Sequence, residues 1–278
     1  IETLSDSQIQ RWFGQWGRIL GQNPAQLLAI WQDARLPEVV RELTREPLLL
    51  YLFAVMHRDG ELAPEMFEGA DAAEAKVLIY KKTLDWVLTR QRAGNLNQKL
   101  TELETEDLRR ILQEAGLAVL QSGRECASLA MIQERLERDE RAKAFLAKAQ
   151  SRLGEDPLKN ALAVFYLKSG QEGGSVEFVH KSFGEFLCAE RIGEALADWA
   201  EPGQRRQRFF VSDEQMHWEI YDLLAGRVLT VEVVEYLRVL WLGEPEAQKL
   251  ITLFGRLNDF YDRWCQGEFI DMAPGENL

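Results

Sequence analysis

Apolar residues recur at helical spacing along almost the whole chain, and this period constrains the fold more than any other feature. In residues 5–20 they lie three and four positions apart on one stripe: Ile9, Trp12, Phe13, Trp16 and Ile19. Pro24, Pro37 and Pro47 mark the starts of three further short helices, because the first helical turn does not need the proline N–H. Residues 1–64 are therefore predicted to form a small helical domain.

The middle of the chain has the order of elements found in a winged helix. Helical patterns cover residues 72–91, 105–121, 128–138 and 141–150. Two β-rich stretches follow, residues 161–168 and 176–179, and the Gly-rich stretch between them predicts a hairpin loop. The last three of these helices, followed by the two-stranded hairpin, predict a winged-helix domain over residues 65–200.

A third segment begins after the Glu201-Pro202-Gly203 break. Helical patterns over residues 209–224, 228–242 and 246–265 predict a second helical domain, residues 201–278. The predicted fold class is mainly α: a helical bundle, a winged-helix domain with a small β-hairpin, and a second helical bundle.

The stretch VEFVHKSFGEFLCAER, residues 176–191, changes from a strand pattern to a helix pattern at His180. Ser182 and Glu185 form S-x-x-E, the capping-box pattern, so a helix is predicted to begin two residues after His180. A helix N-terminus carries unpaired backbone N–H groups and a partial positive charge, and such a place suits an anion. Alternatively, His180 caps or packs the junction between hairpin and helix.

Composition and missing motifs exclude several classes of protein. The net charge of −12 works against nucleic acid and anionic membranes as partners. The chain has no G-x-x-x-x-G-K-[ST] phosphate loop and no metal-ligand spacing, so as an isolated chain it is predicted not to be an enzyme. The many Asp and Glu residues are interpreted as solvated helix faces, and Cys126, Cys188 and Cys265 as buried free thiols.

The longest apolar run, residues 48–56, has about half the length of a membrane span. The chain opens on Ile1 without a signal-peptide pattern. We therefore expect a cytoplasmic fragment of a longer protein.

Three stretches carry a family resemblance. FVHKSFGEFLCAER resembles the F-x-H-x-S-F-x-E-[FY]-x-x-A signature near the end of the winged-helix domain in NACHT-type STAND ATPases, the family of NOD-like receptors and many bacterial signalling proteins. LTREPLLLYLFAVM is similar to the family's P-L-L-L segment in the small helical domain, and LQEAGLAVLQSG is similar to its winged-helix core. The resemblance covers residues 1–200 in the family's order and spacing. In such proteins a P-loop ATPase core stands immediately before this region.

The resemblance implies cofactors, partners and two binding residues. His180 matches the histidine that contacts the β-phosphate of ADP and holds the winged helix against the core in the resting state. Pro47 matches the proline that packs on the adenine, although Arg45 stands where the family has glycine, and Pro47 is also explained as an ordinary helix-starting proline. The implied cofactors are ADP and ATP with Mg in the full-length parent and none in this chain. The implied partners are the upstream nucleotide-binding core in cis and other copies of the activated parent.

Two alternatives to a regulatory module follow from the same sequence. A helical protein-interaction scaffold needs no nucleotide. A DNA-binding winged-helix protein needs a basic stripe, but residues 169–175 contain no Lys or Arg, and the helices over 105–121 and 128–138 mix acids and bases evenly.

Overall fold

The structure, a computed structural model, describes residues 3–91 other than 20 and 22, and residues 105–138, 143, 147, 167–169, 175–178, 180–200, 212–242 and 247–269. The chain divides into two compact units, Ile1–Gly94 and Asn95–Leu278. The division into three domains that the sequence predicts, with boundaries after residues 64 and 200, stays a prediction. In the described parts, no helix has the length and apolar character needed to cross a bilayer.

The first unit consists of short helices separated by tight turns. They are α1 (Asp6–Ile19), α2 (Pro24–Trp31), α3 (Glu38–Leu43), α4 (Pro47–Arg58) and α5 (Ala72–Trp86), with a 3₁₀ turn at Pro64–Phe67. Helix α1 packs on α2, and both α3 and α4 pack on α5. Every residue of α4 from Leu49 to Met56 except Tyr51 is buried, which explains the long apolar run.

Helix α5 begins with a complete capping box and ends earlier than the sequence pattern predicts. The Asp71 carboxylate accepts from the Glu74 N–H at 2.8 Å, and the Glu74 carboxylate accepts from the Asp71 N–H at 2.7 Å. A turn of π-helix, Val87–Gln91, follows the α-helix. The predicted single helix over residues 72–91 is therefore two kinds of helix in succession.

The second unit begins with helices and strands in alternation. Helix α6 (Thr105–Ser122) leads to strand β1 (Cys126–Ser128) and helix α7 (Leu129–Arg138). Strands β2 (Leu167–Ser169) and β3 (Ser175–Phe178) then lead to helix α8 (Lys181–Trp199). The sheet has the order β1-β3-β2 and is antiparallel, with Cys126 opposite Glu177 and Leu167 opposite Phe178.

The prediction of a mainly α fold with a small β-hairpin is confirmed, whereas the winged-helix arrangement stays a prediction, because the third helix it requires lies outside the described residues. The sheet also contains a third strand, β1, which the sequence analysis missed because it is only three residues long. The predicted strand over 161–168 and the predicted helix over 141–150 lie almost entirely outside the described residues.

Helix α8 is the central element of the second unit. It packs against α6 along most of its length and against helix α10 (Val231–Leu242), and it contacts α9 (Asp213–Leu224) and α11 (Ala247–Cys265). The α6–α8 crossing is close at Gly116, where an added Cβ would lie 2.7 Å from the Gly184 carbonyl oxygen. Gly116 is therefore required by the approach of the two backbones.

Candidate functional site

His180 lies between strand β3 and helix α8, where the sequence predicted it. The helix begins at Lys181, and His180 is its N-cap residue, with an extended backbone and no side-chain cap hydrogen bond. The first turn closes through the backbone, where the Phe183 N–H donates to the His180 carbonyl oxygen at 3.1 Å. The imidazole is therefore not what caps the helix.

The predicted capping box of Ser182 and Glu185 is wrong. Both residues lie inside α8, because the helix begins before Ser182 and not after it. The Glu185 carboxylate points to other partners: it accepts from the Thr230 hydroxyl at 3.2 Å and pairs with Lys181 at 3.3 Å. A short S-x-x-E match cannot distinguish a cap from two residues of a first helical turn.

The His180 side chain is buried and contacts an aromatic ring. The residue is only 8% exposed, and its ring meets the Phe183 ring edge-on with 6.3 Å between the centroids. Phe178, Phe183 and Phe186 are all buried in the hydrophobic core. The side chain thus lies at the border between the hydrophobic core and the N-terminus of a 19-residue helix.

Pro47 is the first residue of α4, in the first unit, whereas His180 belongs to the second unit. Arg45 lies two residues before Pro47, at the position where the resemblance implies a glycine. It contacts Leu4 and Asp6. The Arg45 guanidinium donates to the Leu4 carbonyl oxygen at 3.1 Å and to the Asp6 carboxylate at 2.8 Å, and the Leu4 N–H donates to the Arg45 carbonyl oxygen. Arg45 therefore has a local structural role.

A cluster of buried charges lies at the centre of the second unit, and the sequence analysis missed it. Glu114 on α6 is 2% exposed and accepts from two guanidinium groups, Arg135 Nε of α7 at 3.0 Å and Arg191 Nε of α8 at 2.7 Å. One carboxylate thus joins three helices. Such an arrangement is stable only because each buried charge has a partner.

Asp222 extends this cluster to a fourth helix, α9. Its two carboxylate oxygens accept from both terminal nitrogens of Arg135, at 3.2 and 2.8 Å, and one of them also accepts from Arg138 at 2.9 Å. Gln121 completes the connection by donating to the Asp222 carbonyl oxygen at 2.6 Å. The cluster therefore attaches α9 to helices α6, α7 and α8.

The interpretation of all acidic residues as solvated helix faces is wrong for Glu114. A positional signal was available, because Glu114 follows Ile111 by three residues and precedes Ala118 by four, which places it on the buried stripe of α6. Arg135 follows the buried Ile132 by three residues in the same way. A charge on an apolar stripe indicates a buried pair, but the sequence does not indicate which partner it has.

Two further titratable groups are buried in the second unit. Burial raises the pKa of the Cys188 thiol to about 12, so this thiol stays protonated at neutral pH. His217 of α9 packs against Phe260 and Phe269, which stack on each other, and its ring centroid is 5.0 Å from each of theirs. Burial together with the charge of Arg263 lowers the pKa of His217. All three cysteines are free thiols, but only Cys188 is buried, and Cys265 is exposed.

The described residues contain no group of three or more His, Cys, Asp or Glu side chains arranged to hold a metal ion. No protein-family model matches the chain, and no curated protein matches it in sequence. The resemblance to NACHT-type STAND ATPases therefore stays a prediction that rests on the motifs themselves.

Proposed function

We propose that this chain is the regulatory helical and winged-helix module of a NACHT-type nucleotide-switched signalling ATPase, and that it holds the resting, ADP-bound state. The observation that carries the proposal is the position of His180. The histidine of the F-x-H-x-S-F-x-E-F pattern is the N-cap of a long helix directly after the hairpin, and its side chain is not used as the cap. An imidazole N–H beside a helix N-terminus is a suitable donor to a phosphate.

The two elements on either side of His180 support the same proposal. Strand β3 and helix α8 are both anchored, the strand in the middle of the sheet and the helix against α6 and α10. A ligand group at their junction would be held by two rigid elements, which suits a residue that must hold a closed state. In this proposal ADP comes from the nucleotide-binding core of the parent protein, which would precede Ile1.

The charges of the second unit favour this function over DNA binding. A protein that reads DNA uses unpaired basic side chains to neutralise phosphates. In α6 and α7 the arginines are instead paired with carboxylates: Arg109 with Glu190, Arg110 with Glu194, Arg135 with Glu114, and Arg138 with Asp222. The second candidate function is a helical interaction scaffold, and the exposed apolar face of α11 favours it.

The release of ADP from the full-length parent tests the proposal. His180→Ala removes one hydrogen bond to the phosphate that is made only in the closed state. Such a bond contributes about 1–3 kcal/mol, so ADP should dissociate about 5- to 150-fold faster. His180→Gln keeps an N–H donor and should show a smaller effect. The measurement is the release rate of a fluorescent ADP analogue by stopped flow.

His57→Ala is the control, because His57 is a structural histidine of the first unit whose Nδ1 lies 2.9 Å from the Leu62 carbonyl oxygen. Its ADP release should equal that of the wild type. The melting temperature of each variant of the present chain is measured in parallel. Unchanged ADP release by His180→Ala, together with a large fall in melting temperature, would show that His180 only packs the junction.

A further inference from the structure

Helix α11 carries an uncharged face that no other described part of the chain covers. Six residues along it are exposed and lie alternately four and three positions apart: Ala247, Ile251, Phe254, Asn258, Tyr261 and Cys265. Ile251 is 66% exposed and Phe254 is 56% exposed, values unusual for large apolar side chains. We call these six residues the α11 seam.

The spacing of the α11 seam is that of a coiled coil. Alternation of four and three is the heptad pattern, with Ile251, Asn258 and Cys265 at the a positions and Ala247, Phe254 and Tyr261 at the d positions. The opposite side of the helix is already used, because Leu253 and Phe260 are buried in the unit. Helix α11 thus packs one face into the core of its own unit and exposes a second face with the heptad pattern of a coiled-coil helix.

The charges beside the seam also fit a helix partner. The flanking e and g positions are occupied by Gln248, Leu250, Gly255, Leu257, Asp262 and Trp264. Only Asp262 among them is charged, so a second identical helix would meet no row of like charges at this contact. An added Cβ at Gly255 would meet no atom within 4 Å, which leaves room for close approach of a partner.

Asn258 decides which partner fits. In the seam its amide lies between Phe254 and Tyr261, and an apolar helix from another protein would bury this amide without a hydrogen-bond partner. In a parallel pair of identical helices the a positions face each other, so Asn258 meets Asn258 of the second copy and the two amides satisfy one another. In an antiparallel pair a positions face d positions, and Asn258 would meet an aromatic ring.

We infer that the α11 seam is a homodimerisation surface, on which a second copy of this chain docks its own α11 in parallel. The folded unit already holds α11 in its helical conformation. Dimerisation therefore does not require the loss of conformational entropy that makes short isolated coiled coils marginal. A seam of six residues is smaller than a standard stable interface. The dimer is therefore weak, with a dissociation constant on the order of 10–100 µM. This inference requires no nucleotide and is independent of the proposed function.

Sedimentation velocity of the present chain tests the inference between about 5 and 500 µM. Each copy carries a net charge of −12, so the dimer fraction should rise with protein concentration and with salt, which screens the repulsion. Ile251→Lys places like charges at facing a positions and should abolish the dimer. Ile19→Lys is the matched control, because Ile19 is 70% exposed in the other unit and its substitution should leave the dimer unchanged.

Two further variants test the orientation and the role of the amide. The exposed Cys265 thiols face each other only in the parallel dimer, so a short bismaleimide should cross-link the wild type and not Cys265→Ser. The Asn258→Ile variant should associate more tightly, but it should form oligomers larger than the dimer. A monomer at all concentrations in 0.5 M salt, a dimer that survives Ile251→Lys, or a dimer without the Cys265 cross-link would each overturn the inference.

Discussion

Arg135 and Asp222 form a two-point ion pair between helices α7 and α9, in which both terminal nitrogens of the guanidinium meet both oxygens of the carboxylate, at 3.2 and 2.8 Å. The Arg135 side chain is 6% exposed and also donates to Glu114. The pair therefore connects the buried charge cluster of α6, α7 and α8 to helix α9. Its geometry is the fork-to-carboxylate arrangement that only arginine makes.

Asp222→Asn should destabilise the chain by about 2 kcal/mol. The substitution keeps the shape of the side chain but leaves the buried Arg135 with one carboxylate partner fewer. The effect should be smaller than the 3–5 kcal/mol typical of breaking a fully buried pair, because Asp222 is partly exposed and Glu114 remains. Urea unfolding followed by circular dichroism measures the change.

Asp213→Asn is the matched control, since Asp213 begins the same helix and pairs with Arg256, but its side chain is 73% exposed. Exposed pairs contribute little to stability, so this variant should unfold close to the wild-type midpoint. Equal unfolding midpoints for the two variants would mean that the Arg135–Asp222 pair does not stabilise the fold.

Gly116→Ala should destabilise the chain by about 1–3 kcal/mol, because the new methyl group would collide with the backbone of α8. Gly14→Ala in α1 should instead stabilise it by about 0.5–1 kcal/mol, since nothing lies within 4 Å of an added Cβ and alanine is the better helix former. Thermal unfolding should show a lower melting temperature than the wild type for Gly116→Ala and a higher one for Gly14→Ala. A stable Gly116→Ala variant would contradict the close α6–α8 crossing.

His217 should make the chain less stable in mild acid. Burial against two phenylalanine rings lowers the pKa of His217 from 6.5, and the nearby charges of Arg263 and Arg256 act in the same direction, against Asp213 and Asp259. The unfolded chain therefore binds the proton first as the pH falls. The contribution of His217 is fully present above pH 6.5 and is lost as the pH falls towards the lowered pKa.

The test is urea unfolding of wild type and His217→Leu at pH 7.5 and at pH 5.5. The apolar replacement fits the aromatic surroundings and cannot take up a proton, so the variant should lose less stability than the wild type over this interval. Equal losses would show that His217 does not titrate differently in the folded and unfolded chains.

The periodic parts of the fold could be predicted from the sequence. Helices α1, α4 and α8 follow from apolar spacing and from proline positions, because local patterns determine where an amphipathic helix forms. Strand β1 could not be predicted in this way, because three residues, Cys126–Ser128, are too few to show an alternation. Its pairing with β3 joins residues about fifty positions apart, and such contacts leave no local signal.

The candidate site was predicted in part. The position of His180 between strand and helix follows from the change of period on either side of it. Ser182 was predicted as the N-cap of α8, two residues after the observed N-cap His180, because S-x-x-E also occurs inside helices. The charge cluster around Glu114 was missed, since a charged residue on an apolar stripe shows that it is buried but not which helix supplies the partner.

The most direct test of the central claim is a structure of the full-length parent with ADP bound. The measured quantity is the distance from a ring nitrogen of His180 to the nearest β-phosphate oxygen. The account predicts a hydrogen bond, with a distance of about 2.7–3.2 Å. A phosphate that lies beyond hydrogen-bond distance, while the His180 ring keeps its contact with Phe183, would contradict it.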